Sequence, residues 1–554
     1  MINNFSSPKH YLILFLIIVV LAAFLRFYKL SSNPPGLYWD ETVFGYDAYS
    51  ILKTGKDHHG KFLPLFFESF GDWKLPGYHY LLIPSIAVFG LNEFAVRFPS
   101  AFFGTLTVVL TYFLAKQLFQ LKTGNRKSKA RNQEIIALFA AFFLAISPWH
   151  IQFSRGGFES TVGLFFVTLG VWLFLLAINN QKTSYFIFSF LLFGLSMYTY
   201  HAYRIFTPFL VSLFLITFAD KIRQSLRKIL ISLIVAFVFL WPLISFSFTA
   251  QGRFRAISQG AFKKSDYETN RVDYDQNSKR PLRFLSKYWP QSIYIPYQAF
   301  NSYIEHFSPV FLFFKGDQTG RHSQVDMGQI YIFDGLLIIF AIFALKDVGN
   351  KSKRLIIGWL LLAPIPATIV TPVPHAYRTL QMVIPLAFLS AIGALYFFSQ
   401  NRWLIPKILL SVVILYSFLT YTHLLFVHYP KKFAPDWQDG YKQMVRTVAK
   451  YQGNYQKVYV TNILQVPYIY FLFHQKYDPQ KFIDEKGNRD AFDKYVFIDD
   501  NNYSVNSVIS DKKLKILYIA PHWKKVDGDW VAAVNDSRVN HIFSLWDISK
   551  KKND

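Results

Sequence analysis

The chain has 554 residues, of which 52% are hydrophobic and 19% aromatic, and it contains no cysteine. This length exceeds that of one ordinary globular domain. The absence of cysteine excludes a disulfide-stabilised secreted scaffold, a zinc finger, an iron–sulfur protein and a cysteine nucleophile, because each of these needs thiolates. The formal net charge is +25, from 59 Lys and Arg against 34 Asp and Glu.

Apolar stretches rich in Phe, Leu and Ile recur from Leu12 to about Val427. Several approach the roughly 20 residues that a helix needs to cross a bilayer. The first stretch follows Lys9 but has no small-residue cleavage site after it, so we expect it to remain as an anchor. The sequence predicts a polytopic α-helical membrane protein with about 11 transmembrane helices, at residues 11–29, 97–119, 135–149, 160–178, 185–200, 205–219, 229–249, 330–345, 354–371, 379–399 and 404–427.

The distribution of positive charge predicts the orientation of these helices. Lys and Arg are concentrated in three connections, at residues 122–131, 221–228 and 346–354. Short loops rich in Lys and Arg are cytoplasmic, and with a cytoplasmic N-terminus all three lie on one side only if residues 77–90 are not a full crossing. Residues 78–90 are therefore predicted to form a helix that lies in the outer interface. The outer side then receives residues 30–96, residues 250–329 and the tail from about residue 429. Topology thus accounts for much of the positive charge, and nucleic acid is not an expected partner.

The tail differs in character from the rest of the chain. After Tyr429 and Pro430 the long apolar runs end, and short alternating segments follow. Lys457–Thr461 and Leu514–Ile519 are predicted strands, and Gln438–Tyr451 is a predicted helix. We therefore divide the chain into a membrane module, residues 1–428, and a small extracytoplasmic α/β domain, residues 429–554.

Acidic residues are scarce in the predicted spans, where Asp334 is the main exception. Proton-coupled transporters generally need acidic groups deeper in the membrane, so this distribution argues against a transporter. Polar residues collect instead in the predicted outer loops. There Asp40 and Glu41 follow Tyr38 and Trp39 and precede a helical stretch from Thr42 to Leu52. The two acids are typical of a helix N-terminus, where carboxylates accept hydrogen bonds from free backbone amides. They also suit an active site in which one acid is catalytic and the other orients substrate or a metal. The two interpretations are compatible.

Three predicted outer span ends each pair a histidine with an arginine. An arginine at such a position is often an interfacial anchor, and an aromatic cluster with histidine is often part of the interfacial belt. Three pairs on one side favour an anion site more than any single pair does. The pairs are His150 with Arg155, His201 with Arg204, and His375 with Arg378. The segment Gly316–His322 is predicted either to cover this site or to form a solvated turn.

Three motifs follow one another in the first outer loop: Trp39-Asp40-Glu41, Lys74-Leu75-Pro76 and Arg97-Phe98-Pro99-Ser100. In this order they resemble the membrane glycosyltransferases that use polyprenyl-phosphate sugars, which include protein O-mannosyltransferases and the lipid A aminoarabinose transferase. The likeness covers about residues 10–430. Some relatives have a Glu directly before the lysine, whereas this chain has Trp73 there and Asp72 one residue earlier.

The resemblance implies a GT-C fold and transfer of a sugar from a polyprenyl-phosphate donor to a hydroxyl group on the outer side of the membrane. Asp40 would be the base of an inverting displacement. Glu41 would position the acceptor or a divalent cation; relatives differ in metal dependence, and no cofactor follows from the sequence. The predicted substrate-binding residues are Lys74, Arg97, His150, Arg155, His201, Arg204, His375 and Arg378.

The sugar and the acceptor, whether protein, lipid or glycan, are not specified by the sequence. A plasma-membrane location with several crossings is expected, with membrane lipid as a further partner. The sequence leaves two other classes of function open. A lipid or sugar transporter or flippase would move lipid without consuming a glycosyl bond, and a structural or assembly protein would tolerate loss of Asp40 and Lys74.

Overall fold

The structure is a computed structural model that describes residues 8–119, 126–252, 291–400, 402–463, 465–499 and 514–549. The chain divides into two compact units. The first unit comprises Met1–Tyr28 and Ser100–Leu424, and the second comprises Lys29–Pro99 and Leu425–Asp554.

The first unit is helical. It contains helix α1 and the helices from the later part of α4 to α16, and the division between the units falls inside α4. In chain order the helices of this part are α1 Pro8–Phe27, α4 Glu93–Leu118, α5 Arg126–Ile146, α6 Pro148–Arg155, α7 Glu159–Asn180, α8 Thr183–Thr199, α9 His201–Thr217, α10 Ala219–Arg223, α11 Leu226–Ser247, α12 Gln291–Glu305, α13 Ile332–Ala344, α14 Asn350–Leu362, α15 Val383–Ser399 and α16 Leu404–His423. Much of the predicted outer stretch 250–329 lies outside the described residues.

Among the described residues, six helices are long and apolar enough to cross a membrane, or seven if a bent pair counts as one span. The bent pair joins residues 128–146 to α6 at an angle of 55°. Pro148 explains the break, because proline lacks the amide hydrogen that would continue α5, and Ser147 caps the new helix by accepting a hydrogen bond from the His150 amide. The prediction of a polytopic helical protein is thus confirmed, while the count of eleven crossings stays a prediction.

Several predicted spans correspond to short helices. The predictions at 185–200 and 205–219 match α8 and α9, which have 17 residues each. Helices α13 and α14 have only 13 residues each, a length of about 20 Å at 1.5 Å per residue. Proline residues shorten the second of these, since the sequence Pro364-Ile365-Pro366 follows α14.

The second unit begins with helices and a hairpin that carry the acidic motif. Its first elements are α2 Trp39–Thr54, β1 Phe67–Ser69, β2 Asp72–Lys74 and α3 Pro76–Phe89. The two strands pair antiparallel through a two-residue turn in which Phe70 and Gly71 both have positive φ, the conformation that fits the twist of a hairpin. The turn brings Lys74 back beside Phe67. Helix α3 confirms the helix predicted over residues 78–90.

The rest of the second unit is a mixed α/β structure. Its helices and strands are α17 Tyr429–Lys432, α18 Tyr441–Tyr451, β3 Lys457–Thr461, α19 Tyr468–His474, α20 Pro479–Asp484, β4 Ala491–Phe492, β5 Tyr495–Ile498, β6 Ile516–Pro521, β7 Asp529–Asn535 and β8 His541–Asp547. The strands form a six-stranded sheet in the order β4-β5-β3-β6-β8-β7, in which β3 runs parallel to both β5 and β6. Strand β6 is buried along its whole length, as expected for a central strand covered on both faces.

The predicted division at residue 428 assigned residues 30–96 to the membrane module, whereas the structure groups them with the C-terminal segment. Two contacts give the reason. A Cβ atom at Gly36 would lie 2.2 Å from the Trp437 carbonyl oxygen, so the two backbones touch there. Lys442 of α18 donates to the Glu93 carboxylate.

The packing of α13 against α15 depends on a glycine. A Cβ atom at Gly393 would lie 1.8 Å from the carbonyl oxygen of Leu337, and a side-chain rotation cannot relieve a clash with backbone. Nearby, the Ser390 hydroxyl donates to Asp334 Oδ1 at 2.8 Å.

We therefore expect Gly393→Ala to lower the stability of the protein, because overpacking of a close helix contact costs about 1–3 kcal/mol or more. The measurement is thermal unfolding of the purified protein in detergent. Gly453→Ala is the control, since no atom lies within 4 Å of the added Cβ. Equal midpoints for the two variants would contradict the packing argument.

Candidate active site

The carboxylate of Asp40, in the first turn of α2, lies beside Lys74 at the end of the hairpin. Lys74 Nζ is 3.1 Å from Asp40 Oδ1 and 3.6 Å from Asp72 Oδ2. The side chain of Lys74 is only 9% exposed, whereas Asp40 keeps 30% of its side-chain surface and Asp72 keeps 21%. A buried ammonium group thus sits between two carboxylates, and Asp40 is the nearer and the more accessible of the two.

Glu41, the next residue, has a different environment. Its side chain is buried, Oε1 accepts from Arg97 Nε at 2.9 Å, and Oε2 accepts from Arg97 Nη2 at 3.2 Å. Oε2 also accepts from the Tyr38 amide at 3.0 Å, which closes the N-terminus of α2. Both carboxylate oxygens are therefore engaged, and the structure favours a positioning role for Glu41 over the predicted contact with acceptor or cation.

Arg97 uses all of its hydrogen-bond donors inside the second unit. Besides the two bonds to Glu41, Nη1 donates to the carbonyls of Leu30, at 3.2 Å, and Pro34, at 2.7 Å, and Nη2 donates to the Gly36 carbonyl. A guanidinium has five N–H donors, so none is left for a lipid phosphate. We accordingly revise the predicted substrate-binding role of Arg97 to that of holding Glu41 and the 30–36 segment in place.

A second buried cluster joins α2 to α3. His58 Nδ1 lies 2.5 Å from Asp47 Oδ1, and the His58 amide donates to the same oxygen at 3.1 Å. His79 Nε2 is 3.8 Å from Asp47 Oδ2, and the His79 ring stacks on Phe67 with a centroid distance of 3.8 Å. The cluster connects the helix that carries Asp40 with the helix that follows Lys74.

Burial and charge act in opposite directions on these groups. Burial raises the pKa of Asp47, but the charge and hydrogen bond of His58 outweigh it and leave that pKa below its usual value. Burial likewise lowers the pKa of His58, and Asp47 outweighs it, so the pKa of His58 is raised. Burial lowers the pKa of His79 to about 4. The cluster is therefore a charged Asp47–His58 pair beside a neutral His79 at neutral pH.

In the first unit, His150 and Arg155 are buried against the end of α1. Arg26 Nη2 donates to His150 Nδ1 at 2.6 Å, so this ring nitrogen is an acceptor. Arg155 donates to the carbonyls of Leu25, at 2.7 Å, and Tyr28, at 2.9 Å. These carbonyls lie at a helix C-terminus, where they lack partners within the helix. The contacts favour structural roles for His150 and Arg155 over their predicted substrate contacts.

The other two predicted pairs are partly accessible. His201, Arg204 and Arg378 are half-buried, whereas His375 is only 7% exposed. The ring of Tyr377, next to Arg378, lies 4.4 Å from that of Tyr200, next to His201. Burial, followed by the charge of Arg378, holds the pKa of His375 well below its usual value. The structure thus brings the second and third predicted pairs to one region of the first unit.

Three buried side chains in the first unit could hold a metal ion: Asp317, His322 and His375. Their donor atoms all lie within 4.8 Å of one another. The sequence predicted His375 as a substrate contact and the 316–322 segment only as a cover or a solvated turn.

Sequence reasoning also missed the Asp47 cluster and the acid Glu159, which accepts from the Tyr377 hydroxyl. The adjacent histidines at 58 and 59 and the position of Glu159 at the start of an apolar helix were the available signals.

The role of Arg97 can be tested with Arg97→Lys. Lysine keeps the charge but has three donors instead of five, and each buried partner left without a hydrogen bond costs about 1–3 kcal/mol. We expect a clear drop in the thermal unfolding midpoint, while Arg446→Lys, on the exposed side of α18, should change little. Unchanged stability together with weaker binding of lipid phosphate would instead restore the predicted phosphate contact.

Residues 74–246 match the family described as dolichyl-phosphate-mannose-protein mannosyltransferase. YkcB of Bacillus subtilis (strain 168), whose name carries a provisional mannosyltransferase assignment, is 27% identical over 243 residues, which are 42% of this chain and 30% of YkcB. An uncharacterised protein of Aquifex aeolicus (strain VF5) is 27% identical over 169 residues, 30% of each chain. The matches therefore span less than a third of the length of these relatives.

The fold is similar to that of ArnT from Cupriavidus metallidurans. The apo crystal structure has a TM-score of 0.54 at 10% identity and covers 98% of each chain. The crystal structure of ArnT bound to undecaprenyl phosphate has a TM-score of 0.56 at 11% identity, over 97% of this chain and 98% of ArnT. The resemblance inferred from the sequence motifs is thereby confirmed: this membrane protein has a GT-C-like fold shared with ArnT and a segment shared with the dolichyl-phosphate-mannose-protein mannosyltransferases.

Proposed function

We propose that the protein is a membrane glycosyltransferase that moves a sugar from a polyprenyl-phosphate donor to a hydroxyl group of an acceptor. The observation that carries this proposal is the accessible carboxylate of Asp40, 3.1 Å from the buried ammonium of Lys74. Such a pair offers a proton acceptor and a fixed positive charge at one place. The fold similarity to ArnT, which was crystallised with undecaprenyl phosphate, supports a donor of the polyprenyl-phosphate class.

In the proposed reaction the acceptor hydroxyl attacks the anomeric carbon on the face opposite the phosphate. The bond from this carbon to the phosphate oxygen breaks, a new glycosidic bond forms, and the hydroxyl proton passes to Asp40. With an oxocarbenium-like transition state the hydroxyl becomes acidic late in the reaction, so a carboxylate can take its proton. A single in-line displacement of this kind inverts the configuration at the anomeric carbon.

The phosphate leaves with both electrons of the broken bond, so its negative charge grows in the transition state. Fixed cations lower the energy of that charge. The sequence motifs make Lys74, Arg204 and Arg378 the proposed phosphate contacts, with His201 as a further substrate-binding residue. Lys74 is buried with its ammonium already oriented by Asp40, which limits the reorganisation needed when a phosphate binds.

The proposal includes a topology of eleven crossings in a plasma membrane. The six long apolar helices, the bent pair and the two shorter apolar helices α8 and α9 support most of these crossings. Residues 30–96 and the C-terminal segment would then lie on the outer side, where the lipid donor presents its sugar. The acceptor is a protein, a lipid or a glycan.

The donor can be identified by incubating the purified protein with a panel of radiolabelled polyprenyl-phosphate sugars. A transferase releases free lipid phosphate from its own donor. A flippase in vesicles would instead move labelled lipid and leave the glycosyl bond intact.

Asp40→Asn should reduce turnover about 10²–10⁴-fold, since removal of a general base has effects of this size. The assay is the rate of lipid-phosphate release by protein that has kept the wild-type unfolding midpoint. Asp72→Asn is the matched control, because it also removes a carboxylate near Lys74, at 3.6 Å, but not the proposed base. Activity of Asp40→Asn within a few-fold of wild type would remove Asp40 from the base role.

Arg378→Ala should weaken use of the lipid donor more than use of the acceptor, because the lost guanidinium would contact the phosphate. We expect a rise in KM for the donor with a smaller change in KM for the acceptor. Steady-state kinetics with each substrate varied in turn make the comparison. Equal effects on the two constants would count against the phosphate contact.

A further inference from the structure

The segments around residues 317–322 and 375–376 meet at a single carboxylate oxygen. Asp317 Oδ2 lies 3.5 Å from His322 Nδ1 and 3.7 Å from His375 Nδ1. The Asp317 side chain is 1% exposed and that of His375 is 9% exposed. Both Nδ1 atoms are buried and have no hydrogen-bond partner among the described residues.

The carboxylate is fixed by backbone amides. Oδ1 accepts from the Thr319 amide at 2.8 Å, and Oδ2 accepts from the Ala376 amide at 2.7 Å. A carboxylate oxygen has two acceptor positions, so Oδ2 keeps one toward the histidines. These bonds orient the Asp317 carboxylate toward both imidazoles without satisfying either of them.

A further histidine, His306, holds the backbone of His375 but is not one of the three side chains that face one another. Its Nδ1 lies 2.7 Å from the Ser302 carbonyl and therefore donates to it, while Nε2 accepts from the His375 amide at 3.0 Å. Both ring nitrogens are used, one as a donor and the other as an acceptor. His306 is thus a neutral residue that holds the backbone of His375 in position.

Hydrogen bonds to Asp317 Oδ2 can satisfy only one of the two buried Nδ1 atoms. The Ala376 amide already occupies one acceptor position of this oxygen, so one imidazole can donate to the other position and the second Nδ1 remains without a partner among the described residues. In a tetrahedral site with bonds of 2.0–2.1 Å, neighbouring donor atoms stand about 3.3 Å apart, close to the two oxygen–nitrogen distances observed.

We propose that Asp317 Oδ2, His322 Nδ1 and His375 Nδ1 bind a divalent transition-metal ion of the zinc class. Two imidazoles and one carboxylate suit zinc and its neighbours, whereas calcium and magnesium prefer oxygen ligands alone. Three protein ligands leave a fourth position for water or another small ligand. The ion would tie residues 317–322 to the segment that carries Tyr377 and Arg378. This inference does not rest on the proposed sugar transfer.

The first test is the metal content of the full-length protein in detergent, purified with a tag that lacks histidine. The protein is stripped with a chelator and dialysed against zinc. We then expect elemental mass spectrometry to find about one zinc ion per chain. Asp317→Asn and His375→Ala should lower the retained zinc at least tenfold. His522→Asn, on an exposed histidine of the second unit, should retain it.

A second variant separates ligand loss from misfolding. The chain has no cysteine, so His322→Cys introduces the only thiol and replaces one proposed ligand with another. Loaded with cobalt(II), this variant should show a near-ultraviolet thiolate-to-cobalt charge-transfer band. Gln318→Cys, an exposed position of the same loop, should not show it.

The proposal is overturned if wild-type protein retains no zinc after dialysis, or if folded His322→Cys protein gives no charge-transfer band. Retention of zinc by Asp317→Asn and His375→Ala at the wild-type level would also overturn it, because the ion would then be bound elsewhere. These measurements involve no sugar donor, so failure of the glycosyl-transfer assay leaves their outcome unaffected.

Discussion

The proposed site depends on the buried ion pair between Arg97 and Glu41. Removing two charges from water costs several kcal/mol per ion, and their attraction offsets this cost only when the other donors and acceptors are also satisfied. Here the five donors of Arg97 reach Glu41 and three backbone carbonyls of residues 30–36. The pair fixes the chain that enters α2 and closes the first turn of that helix. Asp40, one residue before Glu41, takes its direction from this arrangement.

An arginine in the first unit likewise hydrogen-bonds to backbone carbonyls. An arginine in a charged sequence motif can therefore have a structural partner where the motif alone predicts contact with substrate. Arg97 and Arg155 were predicted to bind substrate, yet both donate to backbone carbonyl oxygens, and Arg97 donates to Glu41 as well. A guanidinium offers the same donors to a carbonyl as to a phosphate. Whether an arginine binds substrate or backbone depends on whether a helix end nearby, such as the C-terminus of α1, has carbonyls without hydrogen-bond partners. That depends on distant packing, which no local sequence pattern reports.

Local structure was much easier to predict than these contacts. The strand at Lys457–Thr461 was predicted with its observed bounds, the helix after Asp40 needed extension at both ends, and the β6 strand shifted by two residues. Periodicity and turn residues encode such elements directly. The association of residues 30–96 with the tail was not predictable in this way, because it rests on contacts such as that of Gly36 with Trp437. The role assigned to Asp40 came from motif order, and its contact with Lys74 required the hairpin turn.

Two Asp–His clusters in the molecule differ in the distance between the carboxylate oxygen and the imidazole nitrogens, and this distance distinguishes a hydrogen bond from a metal site. At Asp47 and His58 the oxygen and nitrogen are 2.5 Å apart, which a shared proton explains. At Asp317 the two imidazole nitrogens stand 3.5 and 3.7 Å from one oxygen, too far for short hydrogen bonds and too close to hold water between each pair. The three side chains are buried and their ligand atoms lie within 4.8 Å of one another, and a doubly charged ion bound among them would engage all three at once. Burial of three mutually facing donors is costly without such a ligand, and the backbone amides that hold Asp317 in place keep the side chain from turning away.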